Sequence, residues 1–288
     1  MVIRFRILAL GWLFFATSLL AQEKSRVLVP EVAPGQVGLS AEKLKLVDAA
    51  VDAIIEKKEI AGASVLIARK GKIAHFKTYG HQDLKAGKAM DRETIFRIYS
   101  MTKSIATSGA LILHEEGKYQ LDDPVEQYLP ALARVRVMEG DQKVEPKRKM
   151  TVRDLMRHTA GMTYGFFGDT PVDALYREKK VLEGDMDQMV AKLGELPLVD
   201  HPGEKWVYSV SVDVLGKLIE VWSGQPFDVF LQKRIFEPLQ MVDTAFHVPE
   251  AKLDRFAVNY GPGLSVIDDP ATSQYRKKPS FLSGGGGL

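Results

Sequence analysis

The sequence predicts an α+β fold, with an antiparallel sheet near the start of the chain and a mostly helical block after it. Residues 63–80, "ASVLIARKGKIAHFKTYG", have the pattern of two strands around a turn at Lys70-Gly71. From Leu121 to about Pro249 the pattern is one of helices and loops. Because strands and helices do not alternate along the chain, a doubly wound parallel sheet is not expected.

The composition allows a large core and excludes several classes of site. The chain has 288 residues, of which 45% are hydrophobic, and its net charge is +2. Basic residues are scattered except at Lys147-Arg148-Lys149, so nucleic acid is not an expected partner. Cysteine is absent and none of the six histidines forms a close metal-binding pair, so we expect neither a metal nor a cofactor.

The N-terminus has the pattern of a secretory signal peptide over residues 1–21. Arg4 and Arg6 precede an uncharged run, "ILALGWLFFATSLLA", that ends in the small residue Ala21. The alternative is an uncleaved membrane anchor, for which the run is short. No later stretch looks transmembrane, so we expect a secreted or periplasmic protein with no membrane span after cleavage.

Residues 22–39 predict an extended lead-in, because Pro30 and Pro34 occur there without any helical period. The next segment predicts an amphipathic helix with Ser40 as its N-cap. The apolar face of this helix consists of Leu44, Val47, Val51, Ile54 and Ile55. The predicted hairpin over residues 63–80 follows it.

A second helix begins near Ser100, and its residues up to Glu115 are apolar on nearly every side, which predicts a buried helix. Further on, the spacing of Thr151 and Asp154 predicts a capping box that opens a short helix. "VDVLGKLIEVWSG" predicts another apolar helix, ended by Gly224. The run of four glycines near the last residue is typical of a turn or a linker.

Ser100 and Lys103 form a Ser-x-x-Lys pair at the start of the predicted buried helix. The spacing places both side chains on one helical face, and a helix N-terminus favours negative charge. Burial favours the neutral form of an amine, which could then act as a base. Ser40 and Lys43 have the same spacing but open an amphipathic surface helix, where a cap suffices. The residues alone leave two interpretations of Ser100 open, a helix cap and a nucleophile.

Other nucleophilic systems have less support in the residues. No Gly-x-Ser-x-Gly motif occurs, which disfavours an α/β-hydrolase. His158 lies in a glycine-containing loop, where hydrogen bonding of that loop is the favoured role. Tyr208 precedes an apolar helix, where packing is the ordinary role. Together with Ser100 and Lys103, however, its phenol would complete a proton relay that needs no histidine.

Several long segments in this order resemble the serine β-lactamase and penicillin-binding-protein superfamily, in its class C-like branch. They are "FRIYSMTKSIATSGALILHEEGKYQLDDPVEQYLP", "MTVRDLMRHTAGMTYGF", "PGEKWVYSVSVDVLGKLIE", "FEPLQMVDTAF" and "FLSGGGGL". Within that branch the chain is most similar to family VIII carboxylesterases and related transesterases. The resemblance implies a β-lactamase/transpeptidase-like fold over residues 40–288, with a helical subdomain at about 121–250.

The resemblance also implies roles for three residues. Ser100 matches the family's nucleophile, Lys103 its lysine and Tyr208 its tyrosine. It implies attack by Ser100 on an acyl carbonyl, an acyl-enzyme, and deacylation by water or another acceptor. Whether Lys103 or Tyr208 takes the serine proton stays open. One oxyanion donor would be the backbone N–H of Ser100.

The chain departs from the family pattern at two places. Val210 lies where the lactamase branch carries an asparagine that holds the antibiotic's amide. We therefore expect a small-molecule ester or amide substrate, and an ester more than a β-lactam. The family also continues into further strands with a third active-site motif and a second oxyanion donor. We therefore expect residues 40–288 to be incomplete at the C-terminus, with a two-stranded remnant of the sheet.

Two alternatives to an esterase remain at this point. One is a β-lactamase or D-alanyl peptidase, which would use the same three residues. The other is a non-catalytic relative that binds cell-wall peptides or holds a partner protein. The residues carry no prediction of oligomeric state.

Overall fold

The computed structural model describes residues 29–288. The predicted signal peptide, residues 1–21, and the first part of the predicted lead-in lie outside these residues. No helix within residues 29–288 combines the length and the apolarity that a membrane span requires.

Within residues 29–288 the α-helices are α1 (Ala41–Glu56), α2 (Thr102–Glu115), α3 (Val152–Met156), α4 (Pro171–Glu178), α5 (Met186–Glu195), α6 (Ser211–Ser223) and α7 (Phe227–Leu231). The strands are β1 (Gly62–Arg69), β2 (Lys72–Asp83), β3 (Lys88–Ala89), β4 (Val137–Glu139), β5 (Gln142–Val144), β6 (Asn259–Tyr260) and β7 (Val266–Asp268). A single π-helical turn, Gln232–Phe236, extends α7. The sheets are small, and helices form most of the core.

The lead-in is extended only in part. Val32 donates a backbone hydrogen bond of 2.9 Å to the carbonyl of Ile73, so this segment runs beside the sheet. Pro34–Val37 then form a 3₁₀ turn that the sequence prediction missed. Pro34 fixes the first φ angle of the turn, and Gly38 ends it in the left-handed conformation with φ = 74°.

The predicted hairpin is confirmed, but its sheet has a third strand. β1 and β2 pair antiparallel with Gly62 opposite Gly80, and Lys70 and Gly71 both take positive φ in the turn. β3 pairs with the end of β2, so the expectation of only two strands was wrong. Two residues are too few to show the alternation by which a strand is detected in a sequence.

Helix α1 begins as predicted at its serine cap. The hydroxyl oxygen of Ser40 accepts a hydrogen bond of 3.3 Å from the backbone N–H of Lys43, whose side chain is exposed. The helix lies against β2, where the Tyr79 hydroxyl donates to Asp48 of α1. No residue of α1 is fully buried, which agrees with an amphipathic surface helix.

Helix α2 packs on α6 and α7 through small residues. Ala106 and Ala110 are fully buried, and a Cβ at Gly109 would come within 3.1 Å of Leu231. The opposite face is open within the described chain, where Leu111 is 41% exposed. The prediction of a helix buried on nearly every side was therefore wrong. Small residues allow a close approach on one face only, and Ser108 shares the other face with Leu111.

The helical block has the predicted ends and one unpredicted hairpin. Thr151 and Asp154 form a capping box at α3, and Gly224 ends α6 with φ = 67°. The hairpin is β4–β5, in which Glu139 pairs with Gln142 across a two-residue turn. Gly140, with φ = 58°, opens that turn. The Gly-Asp dipeptide was the available signal, because it favours two-residue hairpins.

Candidate active site

Ser100 lies in the turn that enters α2 rather than in the helix itself. Tyr99–Met101 form a 3₁₀ turn, and neither this turn nor α2 begins with a side-chain cap. The Ser100 hydroxyl instead points to two other side chains and is exposed. The geometry therefore disfavours the helix-cap interpretation of Ser100.

The residue before Ser100 has a backbone conformation that residues other than glycine rarely adopt. Tyr99 has φ = 43°, in the left-handed region. Its N–H and that of Ile98 donate to the carbonyl of Leu288 at 3.2 Å and 3.0 Å, and its hydroxyl accepts from Asn259 at 2.8 Å. These contacts stabilise a strained turn that presents the Ser100 hydroxyl at the surface.

The structure brings the three sequence-predicted side chains together. The Tyr208 hydroxyl donates to Ser100 Oγ at 2.6 Å, and Lys103 Nζ donates to the same oxygen at 3.3 Å. Lys103 reaches Ser100 from one turn along α2. Tyr208 comes from the loop before α6 and is 108 residues away in the sequence. Lys103 Nζ also lies 4.5 Å from the centre of the Tyr208 ring, a cation–π distance.

The glycine run, residues 284–287, holds the amine of Lys103 in place through a hydrogen bond. Lys103 Nζ donates to the carbonyl of Gly285 at 2.5 Å, and the N–H of Gly285 donates to Asp213 at 3.0 Å. Asp213 also accepts from the Ser283 hydroxyl at 2.5 Å and from the Tyr164 hydroxyl at 3.3 Å. A chain of contacts therefore links a buried carboxylate on α6 to the lysine on α2.

The sequence did not predict these contacts of Asp213 and Gly285 behind Lys103. Asp213 was part of a helix noted only for its apolarity, although a buried acid in such a helix requires partners. The glycine run was predicted as a turn or a linker, and it forms a packed turn. A Cβ at Gly285 would collide with the Asp213 carboxylate and the Tyr164 hydroxyl, so glycine alone fits there.

Burial raises the pKa values of Asp213 and Tyr164, the two groups that lie behind Lys103. Burial raises the pKa of Asp213, although hydrogen bonds from Ser283 and Gly285 and the charge of Lys103 act in the opposite direction. Burial and the nearby Asp213 charge raise the pKa of Tyr164 far above its usual range. The Tyr164 phenol therefore keeps its proton at neutral pH and serves as a donor to Asp213.

A family comparison identifies the chain. The model of the family described as Beta-lactamase matches residues 47–288. The chain belongs to the beta-lactamase family. This confirms the resemblance inferred from the sequence segments.

Relatives of known sequence include several proteins named as esterases or acyltransferases. Esterase EstB of Burkholderia gladioli is 32% identical over 222 residues, which cover 75% of this chain and 54% of that protein. Protein Rv1367c of Mycobacterium tuberculosis is 33% identical over 238 residues, which cover 80% of this chain and 59% of that protein. The chain thus spans less than two thirds of the length of these curated relatives.

A solved structure supports the same fold. The structure of "EstCE1, a hydrolase with promiscuous acyltransferase activity" superposes with a TM-score of 0.73 at 26% identity. The match covers 85% of this chain and 68% of that one. The β-lactamase/transpeptidase-like fold predicted from the sequence is therefore confirmed, with helices around small antiparallel sheets.

The ring of His158 packs against that of Tyr208 in this beta-lactamase-family site. Its ring centre lies 4.9 Å from that of Tyr208, and its Nδ1 accepts from the backbone N–H of Ser209 at 3.3 Å. Its carbonyl accepts from Val207 at 2.8 Å, in agreement with the predicted role of hydrogen bonding its loop. Burial, together with the nearby charge of Lys103, lowers the pKa of His158 to about 4.

The low pKa of His158 predicts a loss of stability in mild acid. The ordinary pKa is 6.5, so between pH 6.5 and about pH 4 the unfolded chain binds a proton that the folded chain does not. Stability should therefore fall as the pH falls through this window. Urea unfolding at about pH 7.5 and about pH 4.5 measures the loss. His158→Asn, which can still accept the Ser209 hydrogen bond but does not titrate, should lose less. Equal losses in the two proteins would contradict the prediction.

The sequence resemblance matches Val210 to an asparagine of the lactamase branch, but the side chain of Val210 faces the core. It is fully buried among apolar residues and precedes α6. Its side chain therefore cannot contact a substrate. A change at this position therefore acts on packing.

Val210→Asn is expected to destabilise the fold by about 3 kcal/mol, because it buries an amide without partners in place of a packed valine. Thermal or urea unfolding of the variant measures the effect. Val210→Ile, which keeps the site apolar, is the control. A stable asparagine variant that gains β-lactam turnover would show that the side chain can turn toward the substrate.

Proposed function

We propose that the protein is a serine hydrolase that cleaves carboxylic esters through an acyl-enzyme. The observation that carries the proposal is the position of the Ser100 hydroxyl, 2.6 Å from Tyr208 Oη and 3.3 Å from Lys103 Nζ, in a chain of the beta-lactamase family. Because the chain spans only 54% and 59% of its relatives' lengths, the proposal concerns the whole protein to which these residues belong.

In the proposed first step, Ser100 Oγ attacks the ester carbonyl and gives up its proton to the pair formed by Lys103 and Tyr208. Both groups lie within hydrogen-bond distance of Oγ, so either can receive the proton and the other can share its charge. Lys103 is held by Gly285, which limits the movement of the amine. A positioned amine and phenol can perform acid–base catalysis without histidine.

The carbonyl oxygen becomes negatively charged as the new bond forms. Within the described chain, the backbone N–H of Ser100 donates to no protein acceptor, while those of Ile98, Tyr99 and Met101 do. This free N–H, at the entrance to α2, is the proposed donor to the oxyanion. Such donors stabilise the tetrahedral intermediate by about 3 kcal/mol each.

Collapse of the intermediate expels the alcohol and leaves the acyl group on Ser100. Water or a second alcohol then attacks the acyl-enzyme, giving hydrolysis or transesterification. EstCE1 is named as a hydrolase that also has acyltransferase activity, which supports an acyl-enzyme open to either acceptor here. Lovastatin esterase of Penicillium rubens, 29% identical over 258 residues, is named for ester cleavage.

The experiment that tests the proposal compares two substrate classes on the full-length protein. We expect faster hydrolysis of short p-nitrophenyl esters than of nitrocefin. The reverse ranking would favour the second candidate, a β-lactamase or D-alanyl peptidase, which the family match allows. Absence of turnover with either substrate, together with retained folding, would favour a non-catalytic relative that binds peptides.

Export from the cytoplasm is also part of the proposal. It is supported by Arg4 and Arg6 before the uncharged run that ends at Ala21. Cell fractionation with N-terminal sequencing of the mature protein tests it. A new N-terminus near residue 22 in the exported fraction is the expected result, and an intact N-terminus in the cytoplasm would contradict it.

A further inference from the structure

Three large aromatic side chains around Tyr208 are left mostly exposed to solvent. Phe166 is 58% exposed, and Phe167 and Trp206 are each 66% exposed. The ring centres of Phe166 and Phe167 lie 4.6 Å apart. The rings of Phe167 and Trp206 lie 5.5 Å and 6.1 Å from that of Tyr208, measured between centres. We call Phe166, Phe167 and Trp206 the aromatic patch. Large apolar side chains that are exposed next to one another are typical of an interaction surface, whereas single ones are not.

The loop that carries the two phenylalanines is fixed at its base. Arg177 of α4 donates to the carbonyls of Gly165 and Gly168, which flank the tip of the loop. Gly165 has φ = 85°, in the left-handed region that favours glycine. A Cβ at Gly168 would come within 2.5 Å of the Asp173 carboxylate, so the backbone packs closely on α4 there. The loop therefore holds both aromatic side chains outward by its own contacts.

The charged residues next to the aromatic patch in the chain form ion pairs. Asp169, which follows the tip of the loop, accepts from Arg177 at 3.2 Å. Lys205, which precedes Trp206, lies 2.5 Å from Asp200. Surfaces that bind phospholipid membranes are typically rich in lysine and arginine, which attract the charged headgroups. Pairs of opposite sign leave little net charge at the patch, which fits an uncharged apolar partner better.

The aromatic patch adjoins the candidate nucleophile. Tyr208, whose ring lies next to those of Phe167 and Trp206, donates to Ser100 Oγ at 2.6 Å. Ser100 is itself exposed. A folded protein seated on the patch would cover the approach to Ser100. An apolar phase made of ester would instead deliver substrate molecules to the same place.

We infer that the aromatic patch adsorbs the protein to the surface of droplets of an aggregated, uncharged ester, and that Ser100 takes its substrate from this surface. The inference rests on the proposed function for the ester chemistry, whereas adsorption itself needs no catalysis. Phenylalanine rings enter the apolar phase, and tryptophan, with an apolar ring and a polar N–H, suits the boundary with water. Ester molecules at the boundary are then concentrated beside Ser100.

Adsorption to tributyrin droplets tests the inference without catalysis. The full-length Ser100→Ala protein is mixed with a tributyrin emulsion, and the protein left in the water is measured after flotation. We expect binding, and Phe166→Gln or Phe167→Gln in the same background should weaken it about 10-fold, because each removes a ring from the apolar phase. Phe166→Leu stays apolar and should keep most of the binding. Leu46→Gln, at a side chain of α1 that is 69% exposed, is the matched control and should change nothing.

Hydrolysis rates of the wild-type protein connect adsorption with activity. Above the solubility limit the concentration of dissolved tributyrin stays constant, so an enzyme that uses only dissolved ester gains no further rate. Here the rate should continue to rise with droplet area. At limiting droplet area this additional rate should fall about 10-fold in Phe166→Gln and stay unchanged in Leu46→Gln, in parallel with adsorption.

Several results would overturn the inference while leaving the esterase proposal intact. They are absence of adsorption, equal adsorption of the glutamine variants, a rate that stops rising at the solubility limit, and equal adsorption to phosphatidylcholine vesicles. A dimer that dissociates in Phe166→Gln would also overturn it, because a second copy would then cover the patch. A wild-type protein that adsorbs to the droplets but cleaves no ester would instead overturn the proposed function and leave the adsorption surface in place.

Discussion

Ser100→Ala should lower kcat for short-chain esters by at least about 10⁴-fold in the full-length protein, because it removes the proposed nucleophile and with it the acyl-enzyme. The fold should be unaffected. The Ser100 hydroxyl is exposed and caps no helix, so thermal unfolding of the variant should match that of the wild-type protein. Initial rates with p-nitrophenyl butyrate, corrected for spontaneous hydrolysis, measure the effect.

Ser40→Ala is the matched control for this variant. Ser40 and Lys43 have the same Ser-x-x-Lys spacing, but the Ser40 hydroxyl accepts from a backbone N–H and caps α1. Its loss should cost about 1 kcal/mol of stability and leave kcat unchanged. If Ser40→Ala lost activity in the folded state, or if Ser100→Ala retained it, Ser100 would not be the nucleophile.

Lys103→Ala and Tyr208→Phe should each lower kcat by about 10²- to 10⁴-fold, and the double variant should lose little more than the worse single variant. The expectation follows from their shared contact, because both groups hydrogen-bond the same Ser100 oxygen. In addition, Lys103 Nζ lies 4.5 Å from the centre of the Tyr208 ring. Groups that act on one proton as a unit give strongly non-additive losses.

Lys43→Ala is the control for charge removal in this series. Its side chain is exposed on α1, and its change should leave both rate and stability nearly unchanged. Single-turnover acylation rates separate the first chemical step from product release. Losses that multiply in the double variant would count against a shared relay, and near-full activity of Tyr208→Phe would remove the phenol from it.

The sequence alone was sufficient for the local parts of the fold and the site. The hairpin of β1 and β2 follows from alternation around a Lys-Gly turn. Ser100 and Lys103 are three residues apart, so their proximity is a property of one helical turn. The approach of Tyr208 is different. It depends on the packing of α6 against α2, and only the family resemblance supplied it before the structure did.

The parts that were missed depend on contacts between distant segments or on very short elements. The link from Asp213 through Gly285 to Lys103 joins three separate segments, so no local sequence pattern predicts it. Strands of two or three residues, such as β3 and β4, show no alternation. For α2, composition indicated burial on all sides, whereas packing geometry placed Leu111 at the surface of the described chain.

The most direct test of the proposed mechanism is covalent labelling of the full-length protein with a fluorophosphonate, followed by peptide mass spectrometry. A single adduct on the peptide that contains Ser100, lost in Ser100→Ala and retained in Ser40→Ala, is the result that we predict. An adduct on Ser40 or on another residue, undiminished labelling of Ser100→Ala, or no labelling of the folded wild-type protein would contradict it.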